Sequence, residues 1–357
     1  MTRAMTACLR FVAAFLVVAL AIGRALPLPE DYLLDARLEH LRNDAEGYDA
    51  VIVGSSVMYR GLDPGVIDEV LAREGFPLRT YNLAAPGCRT WEVDVLIRAA
   101  VDAMGDRLKY VVLEPGLWHP GREWDREYAY RYMYWHTPRA TLESMLVTAE
   151  VDQSWVEKIG TAWMHLRLGA RRAVGYGCFP ELRRAYLDRE PIAPALLEAA
   201  RDGGFLALDD DPDETVTQRR TAFVEHKVEG YLEEVAELRR LRNRRAPARP
   251  NESDVVGSWV HRRQVEEIEG MGMRPVFVVA PYSRADRAIP PLERSGEIDD
   301  LLVFALPDRF PDLYALSKRW DENHLDAEGA RLFSAYFARE FARLLRDGGP
   351  QRGAKGK

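Results

Sequence analysis

Cysteine is scarce in this 357-residue chain, which has three. There is no CxxC pair and no closely spaced Cys/His set, so no structural zinc site and no other metal is expected. Cys8 falls in an apolar N-terminal segment, which leaves Cys88 and Cys178. An oxidising compartment would permit a disulfide between these two, but their spacing does not show that they meet. An excess of basic charge is also lacking: 49 Lys and Arg stand against 56 Asp and Glu, for a net charge of −7. That balance excludes the electrostatic footprint of a nucleic-acid binder. Charges of both signs are mixed along the chain, as on a solvated surface. No internal repeat occurs, and no uninterrupted apolar run reaches the roughly 20 residues of a membrane-spanning helix. Nor is there a Gly-x-Ser-x-Gly elbow at the early serines, because position 58 is Met. No cofactor motif is present and none is expected.

What the chain does have begins at its N-terminus. Arg3 and Arg10 precede FVAAFLVVALAIG, and RALPLP follows. A basic start before a short apolar stretch is the pattern of a secretory signal, with Gly23 and Ala25 as small residues for cleavage. Snorkelling of Arg10 and Arg24 would lengthen the segment into an uncleaved anchor. The bland alternative is a buried N-terminal helix. The expected organisation is a signal peptide or membrane anchor over 1–26 and an α/β domain over 27–357. Either export reading puts that domain outside the cytoplasm, in a periplasm or anchored to the outer face of the cytoplasmic membrane. The terminal QRGAKGK is a short basic tail.

Five apolar runs read as buried parallel strands: 49–54, 78–83, 108–115, 274–281 and 301–306. Helical patterns separate the first three. PGVIDEVLAREG opens on Pro64 and closes on Gly75, and TWEVDVLIRAAVDAMG closes on Gly105. Further helices are expected over about 253–270 and over DAEGARLFSAYFAREFARLLRDGG. This alternation predicts an open, doubly wound α/β sheet. The gap between the third and fourth runs is far longer than an ordinary crossover. Residues 120–250 are rich in Arg, Tyr and Trp, and are expected to form a helical insertion covering one end of the sheet.

Ligands of open α/β sheets bind beyond the carboxyl ends of the strands. The first run, VIVGSSVMYRG, stops there in Gly54-Ser55-Ser56. Ser56 is a candidate nucleophile; its alternative is a helix or turn cap. A nucleophilic serine needs a base and a group that orients the base. Asp321 and His324 have the telling spacing, since side chains three residues apart on one turn can face the same way. The bland alternatives are His324 or Asp326 capping the last helix and Asp321 pairing with Arg319. Arg60, His119, Trp135 and His136 are candidates for substrate binding. Arg60 would meet an anionic substrate or pair with Asp63; His119 would line the pocket rim. Trp135 and His136, in the aromatic YRYMYWHTPRA with Arg131 and Arg139, would hold a sugar chain or lipid headgroup, or simply pack between helices.

Taken in order, VIVGSSVMYRG, YNLAAPG and DENHLDAEGA resemble the blocks of the SGNH (GDSL-like) hydrolase superfamily. The resemblance spans the α/β core from about 49 to 345. It implies a flavodoxin-like SGNH fold, Ser56 as nucleophile, Asp321 and His324 as acid and base, and an oxyanion hole at Ser56 and Gly87. The export segment, the GSS form of the first block and the FPDLYALSKRWDENHLD ending are similar to extracytoplasmic alginate O-acetyltransferase-like and DltD-like proteins. Such a likeness implies O-acyl transfer or deacylation on a polysaccharide or cell-wall glycan, with a membrane-bound acyl-transfer partner. One block departs. The family's third block carries an oxyanion-donating asparagine, and here Glu114, Pro115, Gly116 and Leu117 follow the third strand. That departure keeps open a non-catalytic partner that binds acyl donor or glycan.

Overall fold

Strands buried on both faces favour apolar side chains on both, and all five expected runs form strands: β1, β3 and β4 are largely apolar and almost wholly buried, the buried β2 is Thr-Tyr-Asn, and β5 is half-buried. The computed structural model describes residues 3–25, 32–44, 47–88, 90–115, 130–150, 154–175, 178, 182–183, 187, 193–243, 252–282 and 298–348. In chain order the elements begin with α1 (Arg3–Ala25), α2 (Tyr32–Asn43), β1 (Ala50–Val53), α3 (Ser56–Gly61) and α4 (Pro64–Arg73). Next come β2 (Thr80–Asn82), α5 (Thr90–Met104) and β3 (Tyr110–Leu113). A helical stretch follows: α6 (Tyr130–Trp135), α7 (Pro138–Glu150), α8 (Trp155–Val174), α9 (Pro194–Arg201), α10 (Glu214–His226), α11 (Val228–Asn243) and α12 (Glu252–Gly270). The chain then returns to the sheet as β4 (Arg274–Val279) and β5 (Leu301–Val303) and closes with α13 (Ala327–Asp347).

The five strands form one all-parallel sheet in the order β2-β1-β3-β4-β5. This is an open α/β architecture with the flavodoxin-like order. The order reverses at β1, and the register pairs Val53 with Leu113, so the chain leaves β1 and β3 side by side. That neighbourhood is the topological switch point, where such sheets place their ligands.

Two compact units are present. One comprises Met1–Asp35 and His119–Ile192; the other comprises Ala36–Trp118 and Ala193–Lys357 and holds the sheet. The segment 120–250, expected as one insertion, therefore divides at Ile192. Its second part carries Leu206, Phe223, Tyr231, Val235 and Leu238 into the same core as Ile52, Val112 and Val276. On the last helix, Phe333, Phe337 and Phe341 recur every four residues and are fully buried in that core. Cys88 and Cys178 are both buried and do not form a disulfide, and Cys178 Sγ lies 3.3 Å from Met133 Sδ. Among the described residues, no helix is long and apolar enough to cross a membrane.

A buried asparagine ties the sheet to the short helix that carries Ser56. Asn82, at the end of β2, donates from Nδ2 to the carbonyls of Met58 (3.0 Å), Tyr59 (3.3 Å) and Leu62 (2.8 Å). Its Oδ1 accepts from Ala84 N–H at 3.1 Å. One side chain thus satisfies the carbonyl end of α3 and the start of the loop after β2. Asn82→Ala leaves those buried groups without their partner. We expect a loss of about 1–3 kcal/mol, read as a lowered urea midpoint at unchanged slope.

Candidate active site

The site starts from a glycine. β1 ends at Val53, and Gly54 takes φ +154°. A Cβ there would lie 2.7 Å from Met58 Cγ, so the turn admits no side chain. Ser55 is the N-cap of α3, its side chain accepting from Val57 N–H at 3.3 Å. The serine pair therefore divides its work. Ser55 takes the capping role that Ser56 could have had, and Ser56 Oγ lies 2.8 Å from His324 Nε2.

His324 is oriented by the acid expected from the sequence. Its Nδ1 lies 2.9 Å from Asp321 Oδ1 and 3.0 Å from Oδ2. Asp321 Oδ1 also accepts the backbone N–H groups of Asn323 and His324, each at 2.8 Å. Burial pushes the Asp321 carboxyl up, but the His324 ring and these two amides outweigh it and hold it down to about 2. An ionised carboxylate can only accept, so Nδ1 carries the ring proton and Nε2 is left as the acceptor facing the Ser56 hydroxyl.

The loop bearing this pair is held from several sides. Arg319 is fully buried and donates to the carbonyls of Pro281 (3.0 Å) and Glu322 (2.9 Å), so it is not engaged with Asp321 as its neighbouring position suggested. Arg220, on α10, donates to the carbonyls of Arg319 and Trp320. Trp320 Nε1 donates to Val216 O at 3.1 Å. Asp326 caps α13 by accepting from Gly329 N–H at 2.8 Å, which leaves His324 with no capping task.

Gly87 lies in the exposed turn after β2 with φ +66°. Its loop is joined to the Ser56 loop through Ala85 N–H, which donates to Gly54 O at 3.0 Å. At the end of β3, Glu114 Oε2 accepts from Ser55 N–H at 3.0 Å. Burial raises the Glu114 carboxyl above its ordinary value, against the hydrogen bonds from Ser55 and the nearby His324. Glu114 is the site residue that sequence reasoning noticed only as a departure. Its signal was an acid ending an otherwise apolar strand run.

Four other candidates fare differently. Arg60 is buried and donates to the carboxylate of Asp211 and to Leu206 O at 2.9 Å, with its guanidinium over the Tyr59 ring. It is neither a free cation for substrate nor a partner of Asp63. A buried charge must be paired, and Asp211 pairs this one. Trp135 and His136 are 4% and 1% exposed, inside the unit containing α6–α8. His136 bonds to His165 at 3.0 Å, and their rings stack. These two residues pack between helices instead of presenting a sugar-binding face. His119 lies outside the described residues. Arg139 is engaged with Glu143 one turn on, and the Arg131 side chain is not described. Among the described residues no group of three or more His, Cys, Asp or Glu could hold a metal ion.

The low Asp321 value has a consequence for stability. A carboxylate depressed in the folded state stabilises fully above its unfolded pKa of about 3.9, and that contribution is lost as pH falls towards 2. The stability difference between the wild-type protein and Asp321→Asn, from urea denaturation, should therefore be large at pH 6 and shrink steadily below pH 4.

No protein-family model matches the chain and no curated protein does.

Proposed function

We propose that this protein is an SGNH-like serine acyltransferase that moves an acyl group onto a hydroxyl of an extracytoplasmic polysaccharide or cell-wall glycan. One observation carries this reading: the continuous chain of contacts from Ser56 Oγ through both His324 nitrogens to Asp321, beyond the carboxyl ends of a parallel sheet. The basic-then-apolar N-terminus supports an exported location. The resemblance to extracytoplasmic O-acetyltransferase-like proteins supports a glycan acceptor and a membrane-bound acyl-transfer partner.

In this mechanism Ser56 Oγ attacks the acyl carbonyl while His324 Nε2 takes the hydroxyl proton. Asp321 stabilises the imidazolium that results. The tetrahedral oxyanion is met by the backbone amides of Ser56 and Gly87. Collapse breaks the bond to the donor's leaving group, which receives the proton from His324, and the acyl group stays on Ser56. An acceptor hydroxyl then gives its proton to His324 and attacks the acyl-serine. The second collapse releases the new ester and returns the proton to Ser56. Water in place of the acceptor makes the same site a deacylase.

The residue after β3 shapes the expected rates. Glu114 accepts from Ser55 where the family offers an asparagine donor. Loss of one oxyanion donor costs about 10²–10³ in rate. A bound, well-oriented acceptor recovers part of that through proximity, whereas dilute attack by water on a small ester does not. The same feature favours a second reading, a non-catalytic partner that binds donor or glycan.

The test is a mass-spectrometric assay with 4-nitrophenyl acetate as donor, with and without oligosaccharides from a bacterial exopolysaccharide. We expect slow hydrolysis alone and acylated oligosaccharide when acceptor is present. Ser56→Ala should abolish both, and Asp321→Asn should lower kcat by about 10⁴. Fast hydrolysis indifferent to acceptor would make the protein an esterase. No Ser56-dependent product of either kind would favour the binding partner.

A further inference from the structure

In the unit that contains α1 and α6–α8, a small apolar cluster of Met133, Met164, Leu168 and Cys178 is buried, yet α7 and α8 also expose apolar side chains. On α8, Trp155, Val156, Ile159, Trp163 and Leu166 are 47–80% exposed and recur at helical spacing along one stripe. The opposite face buries Thr161 and His165 beside Met164 and Leu168. α7 repeats the pattern: Leu142 and Leu146 are exposed, whereas Thr141, Ser144 and Thr148 are buried beside Ala140 and Val147. The two helices approach closely, since a Cβ on Gly169 would fall 2.5 Å from Thr141 Oγ1. Small and hydroxylated residues at a helix contact, with large apolar ones outside, are what a low-dielectric surrounding selects. Water selects the reverse, and a contiguous exposed apolar face of this kind marks an interaction surface.

Charge indicates which surface. α8 carries four cations and a single acid, Glu157, which is held in the N-terminal capping box by Ser154. Of the cations, Arg172 is turned to α6, donating from Nε to Tyr134 O at 2.6 Å, and Lys158 stands at the stripe. Lys158 lies over the Trp155 ring, with Nζ 5.6 Å from its centroid. α1 packs on α8 in the same unit. Its sequence holds three arginines and no acidic residue, and it exposes Phe11, Phe15, Val17 and Val18. Tryptophans and cations along the border of an apolar stripe fit a boundary where hydrocarbon meets anionic phosphate. A protein groove offers the first of these but has no general reason to offer the second.

We propose that α7 and α8 form a membrane-docking face that lies in the interface of a phospholipid bilayer. Trp155 and Trp163 sit at headgroup depth, and Lys158, beside Trp155 at the edge of the stripe, meets lipid phosphate. This contact is additional to α1 and independent of the acyl-transfer reading. It makes the helical unit itself a lipid-bound platform, whatever becomes of the first residues.

Brominated-lipid quenching of tryptophan in the full-length protein tests it, with vesicles of phosphatidylethanolamine and phosphatidylglycerol brominated in the acyl chains. The chain has eight tryptophans. We expect the double variant Trp155→Phe/Trp163→Phe, altered only at exposed positions, to lose more than half of the quenchable emission. Ile159→Glu/Leu166→Glu should abolish the quenching that Trp155 and Trp163 contribute while leaving the circular dichroism spectrum unchanged. Equal quenching in the wild-type protein and the tryptophan variant would overturn the proposal. So would unquenched Trp155 and Trp163 together with a cross-linked dimer, which would assign the face to a second copy of the chain.

Discussion

A buried carboxylate that can only accept hydrogen bonds sets the chemistry available at the sheet end. Asp321 receives two backbone amides of its own loop and one ring nitrogen of His324. The amides curl the loop so that the ring lies over the carboxylate, and the charge fixes which nitrogen keeps its proton. Everything else about Ser56 follows from that choice. The hydroxyl 268 residues away in sequence meets an acceptor, not a second donor, at 2.8 Å. A protonated Asp321 could not enforce this tautomer, so the amides that hold its value low matter as much as the histidine itself.

Around that constraint the sheet unit uses its polar side chains as struts. Gly54 allows the turn after β1, Ser55 caps α3, and Glu114 ties the turn to the end of β3. Asn82 holds the far end of α3. Arg60 binds α3 to the Leu206–Asp211 segment, and Arg319 and Arg220 fasten the histidine loop. Each of these groups is buried or half-buried and would be costly without its partner. Together they hold the serine and the histidine within hydrogen-bond reach on separate loops, a geometry that two unsupported loops would not keep.

The five strands and the Asp321/His324 pair were legible in the sequence because each rests on a local pattern, an apolar run or a three-residue spacing. Ser56 was legible only as one of two serines; the split between capping and facing the histidine depends on the backbone angles after Gly54. Arg60 was misread for a physical reason. A cation four residues from a candidate nucleophile looks like a ligand group until its partner is known, and Asp211 lies 151 residues away. Asn82 was hidden in the same way, since its three acceptors are carbonyls that sequence does not distinguish. Trp135 and His136 belong to an aromatic cluster whose composition suits sugar binding and helix packing equally, and burial decides for packing. The segment 120–250 divides because Tyr231, Val235 and Leu238 form a helical-period stripe on α11 that, with Phe223 of α10, joins the sheet core, a match between faces that no local pattern announces.

Whether Ser56 is an activated nucleophile is read most directly by intact-protein mass spectrometry after exposure to a fluorophosphonate, which reacts covalently only with a serine that a neighbouring base has activated. The geometry predicts one adduct per chain, located on Ser56 by peptide mapping, absent in His324→Ala and formed far more slowly in Asp321→Asn. An unlabelled wild-type protein, or labelling indifferent to loss of His324, would contradict it.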